Sequence, residues 1–478
     1  MKTQKTEQRE AKQLSRLNKT RAKGMYSGYF FVLVCLIAVV NILDEVTSNL
    51  TVTVQSSFVT EFFVNNPFLG KYYTFQEGLA LHSTVGVVTY AFGIITPFYK
   101  ALADKWGRKP LFVISTLGMA VGLAIIHLST SYIMFLAGFA VISFFMGHDI
   151  QIIYILEEAP EKHRAKIYSF LKSFGILGVI LIPTLRDMLM GDDATRWREI
   201  FLVPAVLGFI AVLLVILFAK DTKVFINERI AYLSRPFNER QAEKELQKKN
   251  KEAQRNQSGV FNGVKYIFSN KDTKSLIISH IIFDSAMPAI ALYFESSMHG
   301  VGMSTSDITK ALFMVPVIYA AITFLSGFIA DKLGRKVTVT GFSVTCIVGY
   351  TLFVAGILLG WNPYLIGAFA GLYQGSYWIG RDYMNVMMTE KVPTDIRASV
   401  VGAEGLLVII GLVVGYGAAV LGMLKFPIWW VCLAISVVAV GVAAVMFATQ
   451  VKETKGVNLD EIKYISKTKK SQRVFYSL

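Results

Sequence analysis

The chain has 478 residues, of which 54% are apolar and 17% are charged, and its formal net charge is +15. This composition excludes a chain made only of soluble domains, because about a quarter of the residues in such domains are charged. The basic residues flank long apolar runs, so we expect anionic lipids, and not nucleic acid, as the partners of this positive charge.

Twelve apolar segments are each long enough to cross a bilayer, which takes about 20 helical residues. Six lie near residues 28–48, 80–102, 110–129, 132–156, 166–185 and 199–219, and six near 274–294, 308–330, 337–359, 363–388, 398–423 and 427–448. Each must be helical, because backbone groups in lipid have no water to bond. We therefore predict an all-α integral membrane protein, with a basic tail over residues 1–24, an N-terminal six-helix bundle over 25–219, a linker over 220–273, a C-terminal six-helix bundle over 274–449 and a tail over 450–478.

Lysine and arginine are concentrated in both tails and in the loops that follow even-numbered segments. The positive-inside rule places these parts in the cytoplasm, and two cytoplasmic termini require an even number of spans. We expect a monomeric, multi-pass protein of the plasma (inner) membrane with both termini in the cytoplasm.

The linker between the halves is polar over residues 239–255, which indicates a helix in water or a disordered segment. It is a plain tether in one interpretation and a regulatory segment in another. Phe261, Val264 and Phe268 follow at helical spacing. They predict a short helix on the inner membrane surface.

An internal repeat relates the two halves in three ordered places. Residues 104–109 (DKWGRK), between segments two and three, match residues 331–336 (DKLGRK), between segments eight and nine. Glu157 and Arg164 after segment four match Glu390 and Arg397 after segment ten. Residues 220–223 (KDTK) match residues 452–455 (KETK) after the last segment of each half. Repeats of this kind place a solute site between halves in many transporters.

The repeated loops predict a latch on the inner side of the membrane. Their glycines permit a tight reversal between helices, and their basic residues can pair with carboxylates at neighbouring helix ends, holding that side closed until the halves rock apart. Plain anchoring by positive charge is the alternative. The predicted latch consists of Asp104, Gly107, Arg108, Lys109, Glu157, Arg164, Asp331, Gly334, Arg335, Lys336, Glu390, Arg397 and Glu453.

These loops resemble the signature loop of the major facilitator superfamily. The E-x-x-P-x-x-x-R pattern after segments four and ten resembles its sugar-porter branch, and residues 453–462 (ETKGVNLDEI) are similar to that branch's P-E-T-K-G-x-x-L-E-E-I ending. The resemblance implies the fold of that superfamily, with twelve transmembrane helices in two pseudo-symmetric six-helix bundles, alternating access and a cytoplasmic salt-bridge network. Residues 280–284 (HIIFD) depart from the branch's Q-Q-x-x-G, which weakens the indication of a hexose.

Three carboxylates within the segments are candidates for proton coupling, because charge inside a bilayer is costly and is usually retained for function. Asp44 and Glu45 lie in segment one, and Asp44 stands where the resemblance places the protonation site of proton-coupled members. If segment one ends early, both residues are only interfacial. Asp284 lies inside segment seven, before a predicted kink at Pro288, whereas Glu295 is predicted to be interfacial.

Two dipeptides that obey the repeat are candidates for the solute cavity. His148-Asp149 and Arg381-Asp382 precede Glu157 and Glu390 by the same spacing. Arg381 needs a carboxylate partner, which Asp149 or Asp382 could provide. These residues either bind an anionic group or transfer protons, or they form an ion pair that serves assembly only.

Segment ten also presents Tyr373, Gln374, Tyr377 and Trp378, which either line a cavity or pack within the helices.

No nucleotide-binding, hydrolase or zinc motif is present, and the three cysteines have no metal spacing. We therefore expect no enzyme activity, metal or cofactor. The sequence predicts a secondary active transporter of a small polar solute, a sugar or related metabolite, coupled to protons. An organic-acid symporter and a drug exporter are alternatives, and a nutrient sensor that does not transport is an alternative of a different class.

Overall fold

The structure is a computed structural model that describes residues 2–23, 28–90, 106–146, 154, 157–159, 164–236, 239–240, 260–288, 293–392 and 396–455. In the first half of the chain, the helices are α1 (Lys2–Lys23), α2 (Tyr29–Leu50), α3 (Gln55–Val59), α4 (Phe75–Tyr90), α5 (Arg108–His127), α6 (Tyr132–Met146), α7 (Arg164–Gly178), α8 (Leu181–Leu185), α9 (Glu199–Phe218) and α10 (Lys223–Leu233). In the second half, they are α11 (Val260–Ser269), α12 (Lys271–Asp284), α13 (Phe294–Gly300), α14 (Thr305–Leu333), α15 (Arg335–Leu359), α16 (Pro363–Glu390), α17 (Arg397–Met423) and α18 (Ile428–Gln450).

The predicted all-α membrane fold is confirmed. Within the described ranges, seven helical stretches are long and apolar enough to cross a membrane: Tyr29–Asn65, Arg108–His127, Ala194–Phe218, Thr305–Leu333, Arg335–Leu359, Ser399–Met423 and Ile428–Gln450. Large apolar side chains such as Leu213 and Leu217 on α9 are exposed, as expected for helices that face lipid. The predicted segments 80–102 and 132–156 run into residues outside the described ranges.

The first segment is longer than predicted. Its expected end near residue 48 is wrong, because a 3-10 turn (Thr51–Val54), α3 and a π-helical turn (Thr60–Asn65) continue it. Polar side chains do not end the helix, because they bond to its own backbone: Thr47 donates to the Leu43 carbonyl at 2.6 Å and Asn49 to the Glu45 carbonyl at 2.8 Å. Asp44 and Glu45 are therefore not at a helix end.

The seventh segment is interrupted. Instead of one helix over 274–294, α12 ends at Asp284, a turn follows at residues 285–286, residues 287–288 are helical again, and α13 begins at Phe294; residues 289–292 lie outside the described ranges. Proline lacks a backbone donor, so Pro288 cannot bond the Asp284 carbonyl four residues earlier. This break places Asp284 at the C-terminal end of α12.

Two compact units account for the chain. The first unit comprises Met1–Thr51, Val88–Leu185 and Thr195–Ala253, and its core includes Leu33, Val40, Met119 and Leu171. The second unit comprises Val52–Val87, Arg186–Ala194 and Gln254–Leu478. The bundle boundaries inferred from the sequence stay predictions.

The predicted short helix after the linker is present as α11, in the second unit. Gly263 packs against the Ser399 carbonyl of α17, where a Cβ would clash, and Ile267 is buried. Phe261 and Phe268 remain exposed on its other side.

Candidate functional site

Asp284 is the centre of a buried polar network in the second unit. It ends α12, and His280 lies one turn earlier on the same helix, with its Nε2 3.8 Å from Asp284 Oδ1. Both side chains are buried, and His280 Nε2 makes no hydrogen bond within the described ranges. A buried polar atom without a hydrogen bond is costly, and the Asp284 carboxylate is the charged group beside this nitrogen.

Two side chains of α16 meet the Asp284 carboxylate. Tyr377 donates a hydrogen bond to Oδ1 at 2.8 Å, and Arg381 Nε lies 3.0 Å from Oδ1 and 3.1 Å from Oδ2. Residues four apart share one face of a helix, which explains why both reach the same carboxylate. The Trp378 ring lies 5.3 Å from Arg381 Cζ, within range of a cation–π contact.

Glu404 on α17 completes the network, because its Oε1 lies 3.1 Å from His280 Nδ1. The helices approach closely at Gly411 and Gly415, where a Cβ would clash with the carbonyls of Ile281 and Ser285 on the opposite chain segment. Small residues spaced four apart allow such backbone contact between membrane helices. The site therefore holds two carboxylates, one histidine and one arginine: Arg381 bonds Asp284, His280 bonds Glu404, and 3.8 Å separates His280 from Asp284.

The partner of Arg381 differs from the prediction. Its ion pair is with Asp284, and not with Asp382, which is exposed. The reason is that α12 packs against α16 with Asp284 at the Arg381 face, whereas Asp382 points about 100° away on the helix. His148 and Asp149 lie outside the described residues.

The remaining candidates on α16 differ in their surroundings. The Tyr373 hydroxyl bonds to Ser436 at 2.6 Å, and its ring packs on Tyr350 with centroids 4.6 Å apart. Gln374 is buried, and Trp378 is half-buried. Tyr377 and Trp378 therefore join the Asp284 network, whereas Tyr373 belongs to the packed aromatic interior.

Asp44 and Glu45 belong to the first unit and are half-buried. Glu45 packs beside α7, where its Cγ would lie 3.3 Å from a Cβ at Gly175. Because consecutive helical residues point about 100° apart, Asp44 faces a different direction from Glu45.

The first copy of the repeated loop forms an ion-pair cluster in the first unit. Arg108 Nη2 lies 2.6 Å from Glu157 Oε1, and the Thr222 hydroxyl donates to the same carboxylate. Asp221 accepts the backbone N–H of Lys109 at 2.9 Å. Gly107 has φ of 107°, and a Cβ there would lie 2.5 Å from Asp221 Oδ1. Glycine is thus needed both for its conformation and for space.

The second copy repeats this cluster in the second unit. Arg335 Nε lies 3.5 Å from Glu390 Oε1, and the Thr454 hydroxyl donates to Glu390 at 2.5 Å. Glu453 accepts the backbone N–H groups of Arg335 and Lys336 at 3.0 and 2.9 Å. Gly334 has φ of 102°, and a Cβ there would lie 2.5 Å from Glu453 Oε2.

The other predicted latch residues have different surroundings. Asp331 lies 3.6 Å from Arg335, whereas Arg397 donates to the Val392 carbonyl. Asp104 and the side chain of Arg164 lie outside the described residues. Each cluster lies within one unit, so a latch that acts between halves stays a prediction.

The two equivalent carboxylates of these clusters titrate differently. Burial raises the pKa of Asp221, against the opposing backbone N–H groups of Lys109 and Arg108. For Glu453, burial also opposes ionisation, but the backbone N–H groups of Lys455, Lys336, Thr454 and Arg335 outweigh it and lower the pKa. The first cluster therefore disfavours its negative charge, and the second favours it.

A second buried network in the second unit surrounds Glu295, which is not interfacial as predicted. Its Oε1 lies 3.5 Å from Arg186 Nη2, and its Oε2 accepts the backbone N–H of Ser56 at 2.8 Å. Arg186 also donates to Thr309 Oγ1 at 2.9 Å and to the Thr53 carbonyl. The prediction failed because the extension of segment one beyond residue 50 covers Glu295.

Sequence reasoning missed Glu404, His280 and Arg186 as site residues. Glu404 had a readable signal, because it is the one acidic residue of the apolar run 398–423. His280 lies one turn from Asp284 on one helical face. Arg186 had no comparable signal, since its position after segment five resembles an ordinary basic loop residue.

The family profile described as Major Facilitator Superfamily matches residues 34–415. The chain is 26% identical over 322 residues to the cis,cis-muconate transport protein of Acinetobacter baylyi, covering 63% of this chain and 68% of that protein. It is 23% identical over 391 residues to the glucose transporter GlcP of Staphylococcus epidermidis, covering 76% of this chain and 83% of that protein.

A shorter match joins the chain to the class H tetracycline resistance protein of Pasteurella multocida, with 28% identity over 192 residues. It covers 40% of this chain and 45% of that protein, so the chain spans less than half of this relative's length. Among solved structures, the D-xylose-proton symporter is similar in fold, with a TM-score of 0.64 at 15% identity, covering 90% of this chain and 99% of that one.

Proposed function

Because the chain belongs to the major facilitator superfamily and is a multi-pass secondary transporter rather than an enzyme, we propose that it moves a small organic acid together with a proton. The observation that carries the proposal is the ion pair between Asp284 and Arg381, 3.0 Å apart at the centre of the buried network. It joins one group that can take up a proton to one that can bind a carboxylate.

The charge balance of this pair couples the two ligands. Ionised Asp284 and Arg381 together carry no net charge. When Asp284 takes up a proton, Arg381 loses its partner, and a bound carboxylate restores neutrality. Because an unpaired charge in a low-dielectric interior is costly, the proton and the carboxylate stabilise each other's binding. Binding them together and releasing them together is the requirement for symport.

The accessible part of the pair is the arginine. Its side chain is 29% exposed, whereas that of Asp284 is 3% exposed. Both bonds from Arg381 to Asp284 use the Nε atom of the arginine. Within the described ranges, its Nη1 and Nη2 atoms bond no protein group. A guanidinium presents such groups to a carboxylate as a planar pair of donors. The Trp378 ring beside it gives the rest of the solute an apolar surface.

His280 and Glu404 provide a route for the proton beside Asp284. His280 stands between the two carboxylates, with Nδ1 near Glu404 and Nε2 near Asp284. A neutral imidazole accepts a proton on one nitrogen and releases one from the other. The histidine can therefore exchange protons between Glu404 and Asp284, while Tyr377 holds the Asp284 carboxylate in place.

Uptake into proteoliposomes tests the proposal. The solute panel contains carboxylates such as cis,cis-muconate and, for comparison, the sugars glucose and xylose. With an inward proton gradient, purified protein should accumulate the carboxylates. Asp284→Asn should abolish gradient-driven accumulation but spare exchange of solute, because asparagine mimics the protonated acid and leaves Arg381 available. Arg381→Gln should abolish both. Arg196→Gln, which removes an exposed arginine paired with Glu199, is the matched control and should behave like the unmodified protein.

A sugar is the second candidate for the solute. The ending ETKG at residues 453–456 resembles the sugar-porter branch, and the match to the glucose transporter covers most of that relative. The Trp378 ring gives a surface on which a sugar ring can stack. Accumulation of glucose or xylose without carboxylates would favour this candidate and refute the organic acid. Absence of any net uptake by folded protein would favour the sensor hypothesis.

We also propose that the chain resides in the plasma (inner) membrane with both termini in the cytoplasm. The basic residues of both tails and of the loops at 104–109 and 331–336 support this orientation. In right-side-out vesicles, protease added outside should leave terminal tags intact, and permeabilised vesicles should lose both tags.

A further inference from the structure

A cavity of about 320 Å³ lies in the first unit, against the inner end of α5 and apart from the proposed transport site. Its walls come from α1, from the first copy of the repeated loop and from the segment that enters α10. The lining combines Arg16 and Lys109 with Trp106, Val113 and Ile114. A cavity of this size is within the range of small-ligand sites.

The N-terminal helix α1 is held in place to form one wall of this cavity. Leu17 is buried among Phe225, Ile230 and Leu233. Gln13 accepts a hydrogen bond from Arg229 at 3.1 Å. The Arg240 guanidinium pairs with Glu10, which lies two turns before Leu17 on the same face of α1. This apolar contact and the polar bonds beside it fix the rotation of α1 about its axis. Arg16 therefore faces the cavity.

The charged side chains that line the cavity are Arg16, Lys109 and Asp221. Burial raises the pKa of the Asp221 carboxyl, so the two cations outweigh it, and the part of the cavity beside Arg16 and Lys109 is its cationic end. Lys109 Nζ donates to the Ile216 carbonyl at 2.6 Å. The Trp106 side chain also lines the cavity and is exposed. Tryptophan beside basic residues is typical of the level at which lipid headgroups lie.

The other end of the cavity opens on an apolar path. Val113 and Ile114 line the cavity. Ile114, Leu117 and Val121 are all exposed along α5. Their spacing of three and four residues places them on one face of the helix. This face belongs to a stretch that is long and apolar enough to cross a membrane, so the path leads from the cationic end into hydrocarbon.

We propose that this cavity binds an anionic glycerophospholipid, with its phosphate at Arg16 and Lys109 and one acyl chain along Ile114, Leu117 and Val121. A soluble phosphate would use only the cationic end, whereas the continuous apolar face fits a molecule with a chain. Trp106 then lies at the glycerol level. The bound lipid contacts the loop whose Lys109 N–H bonds Asp221 and whose Arg108 pairs with Glu157, so lipid occupancy steadies the first ion-pair cluster.

Native mass spectrometry of the full-length protein tests this site, with phosphatidylglycerol and phosphatidylcholine as probes. The unmodified protein should retain phosphatidylglycerol in preference to phosphatidylcholine. Arg16→Gln should lower that retention about fivefold, the ratio that corresponds to about 1 kcal/mol per basic residue near a lipid surface. Lys12→Gln is the matched control, because Lys12 is an exposed residue of α1 outside the cavity, and it should leave retention unchanged.

A second variant separates a lipid from a free anion. Ile114→Asn should weaken retention of phosphatidylglycerol, and added glycerol 3-phosphate should not displace the lipid. Equal losses in the Arg16 and Lys12 variants, equal retention of phosphatidylcholine, or displacement by glycerol 3-phosphate would each overturn the proposal. Thermal unfolding in lipid-free detergent should give the same midpoint for all three variants and the unmodified protein, and a lower midpoint for Arg16→Gln would reassign Arg16 to folding. The outcome does not depend on which solute is transported.

Discussion

Tyr377 and Arg381 bond the same oxygen of Asp284, at 2.8 and 3.0 Å, from consecutive turns of one helix. The neutral phenol and the charged guanidinium therefore compete for, and jointly orient, one buried carboxylate. The phenol donates its hydrogen bond to the carboxylate, so it helps to hold Asp284 in place against Arg381.

Tyr377→Phe should consequently weaken the hold on the Asp284 carboxylate. We expect gradient-driven solute uptake to fall about fivefold, since a hydrogen bond to a buried group contributes about 1 kcal/mol. Tyr373→Phe is the matched control, because its hydroxyl bonds Ser436 and not Asp284. An identical fall in both variants would show that the effect comes from general loosening of α16.

Asp44 and Glu45 should differ in their effect on coupling. Glu45 packs beside Gly175 of α7, so of these two residues Asp44 is the better candidate for a contribution to proton coupling. Asp44→Asn should abolish gradient-driven uptake while sparing solute exchange, and Glu45→Gln should leave both intact. Unchanged accumulation in the Asp44 variant would remove this residue from the coupling scheme.

The two ion-pair clusters should contribute unequally to stability. The Arg108 side chain is 8% exposed and pairs at 2.6 Å, whereas that of Arg335 is 23% exposed and pairs at 3.5 Å. Arg108→Ala leaves Glu157 partly buried without this partner and should cost about 3 kcal/mol. Arg335→Ala should cost about 1 kcal/mol or less. Thermal unfolding in detergent measures both costs, and a larger loss from Arg335 would contradict this ranking.

The same two substitutions combined test the latch. If the clusters hold the inner side closed, the double variant should rest more in the inward-open state. Labelling of cysteines introduced on the inner side should then become faster. Equal labelling rates in the double variant and in the single-cysteine parent would show that the clusters only anchor the loops.

Neutralising Glu453 and neutralising Asp221 should have opposite effects on the stability of the fold. The lowered pKa of Glu453 means that its ionised form stabilises the fold above its ordinary pKa of 4.5, and that this stability is lost as the pH falls through the lowered value. Glu453→Gln should therefore destabilise the protein at neutral pH, and the difference should shrink below pH 4.5. Asp221 has a raised pKa, so its stabilising contribution is lost as the pH rises, and Asp221→Asn should be neutral or slightly stabilising at pH 7.

Melting curves of these two variants across pH provide the measurement. The asparagine keeps an oxygen for the Lys109 N–H, so Asp221→Asn also serves as the isosteric reference. Equal destabilisation by both variants at neutral pH would contradict the opposite pKa directions.

Arg186 and Glu295 form a fully buried ion pair. Replacing one partner should lower the stability of the protein more than replacing both. Glu295→Gln should lower stability by about 3–5 kcal/mol, because Arg186 is left as a buried charge without its partner. Replacing both with apolar residues, Arg186→Met with Glu295→Met, should recover part of that loss. A double variant whose loss equals the sum of the losses from Arg186→Met alone and Glu295→Met alone would show that the pair is not coupled.

The sequence was sufficient for those features that depend on local chemistry. Apolar runs predicted the helices, and the glycines of the repeated loops predicted the tight turns now seen at Gly107 and Gly334. The partners of charged residues were harder, because they depend on which helices pack together and on where they continue. The packing of α12 against α16 brings Asp284 to Arg381, and the continuation of segment one past residue 50 buries Glu295. No local pattern reports either contact, since both join residues far apart in the chain.

The backbone contact of α17 with the end of α12 at Gly411 and Gly415 also limits how this joint can move. The two glycines present bare backbone to the carbonyls of Ile281 and Ser285. No α17 side chain interlocks with α12 at these two points, so the helices can shear along each other more easily than helices joined by knobs and holes. They cannot be drawn apart, however, without losing the bond from His280 to Glu404. If the two helices slide and do not separate, the proton-binding groups keep their contacts through the transport cycle. Any residue larger than glycine at position 411 would push the helices apart and block this sliding.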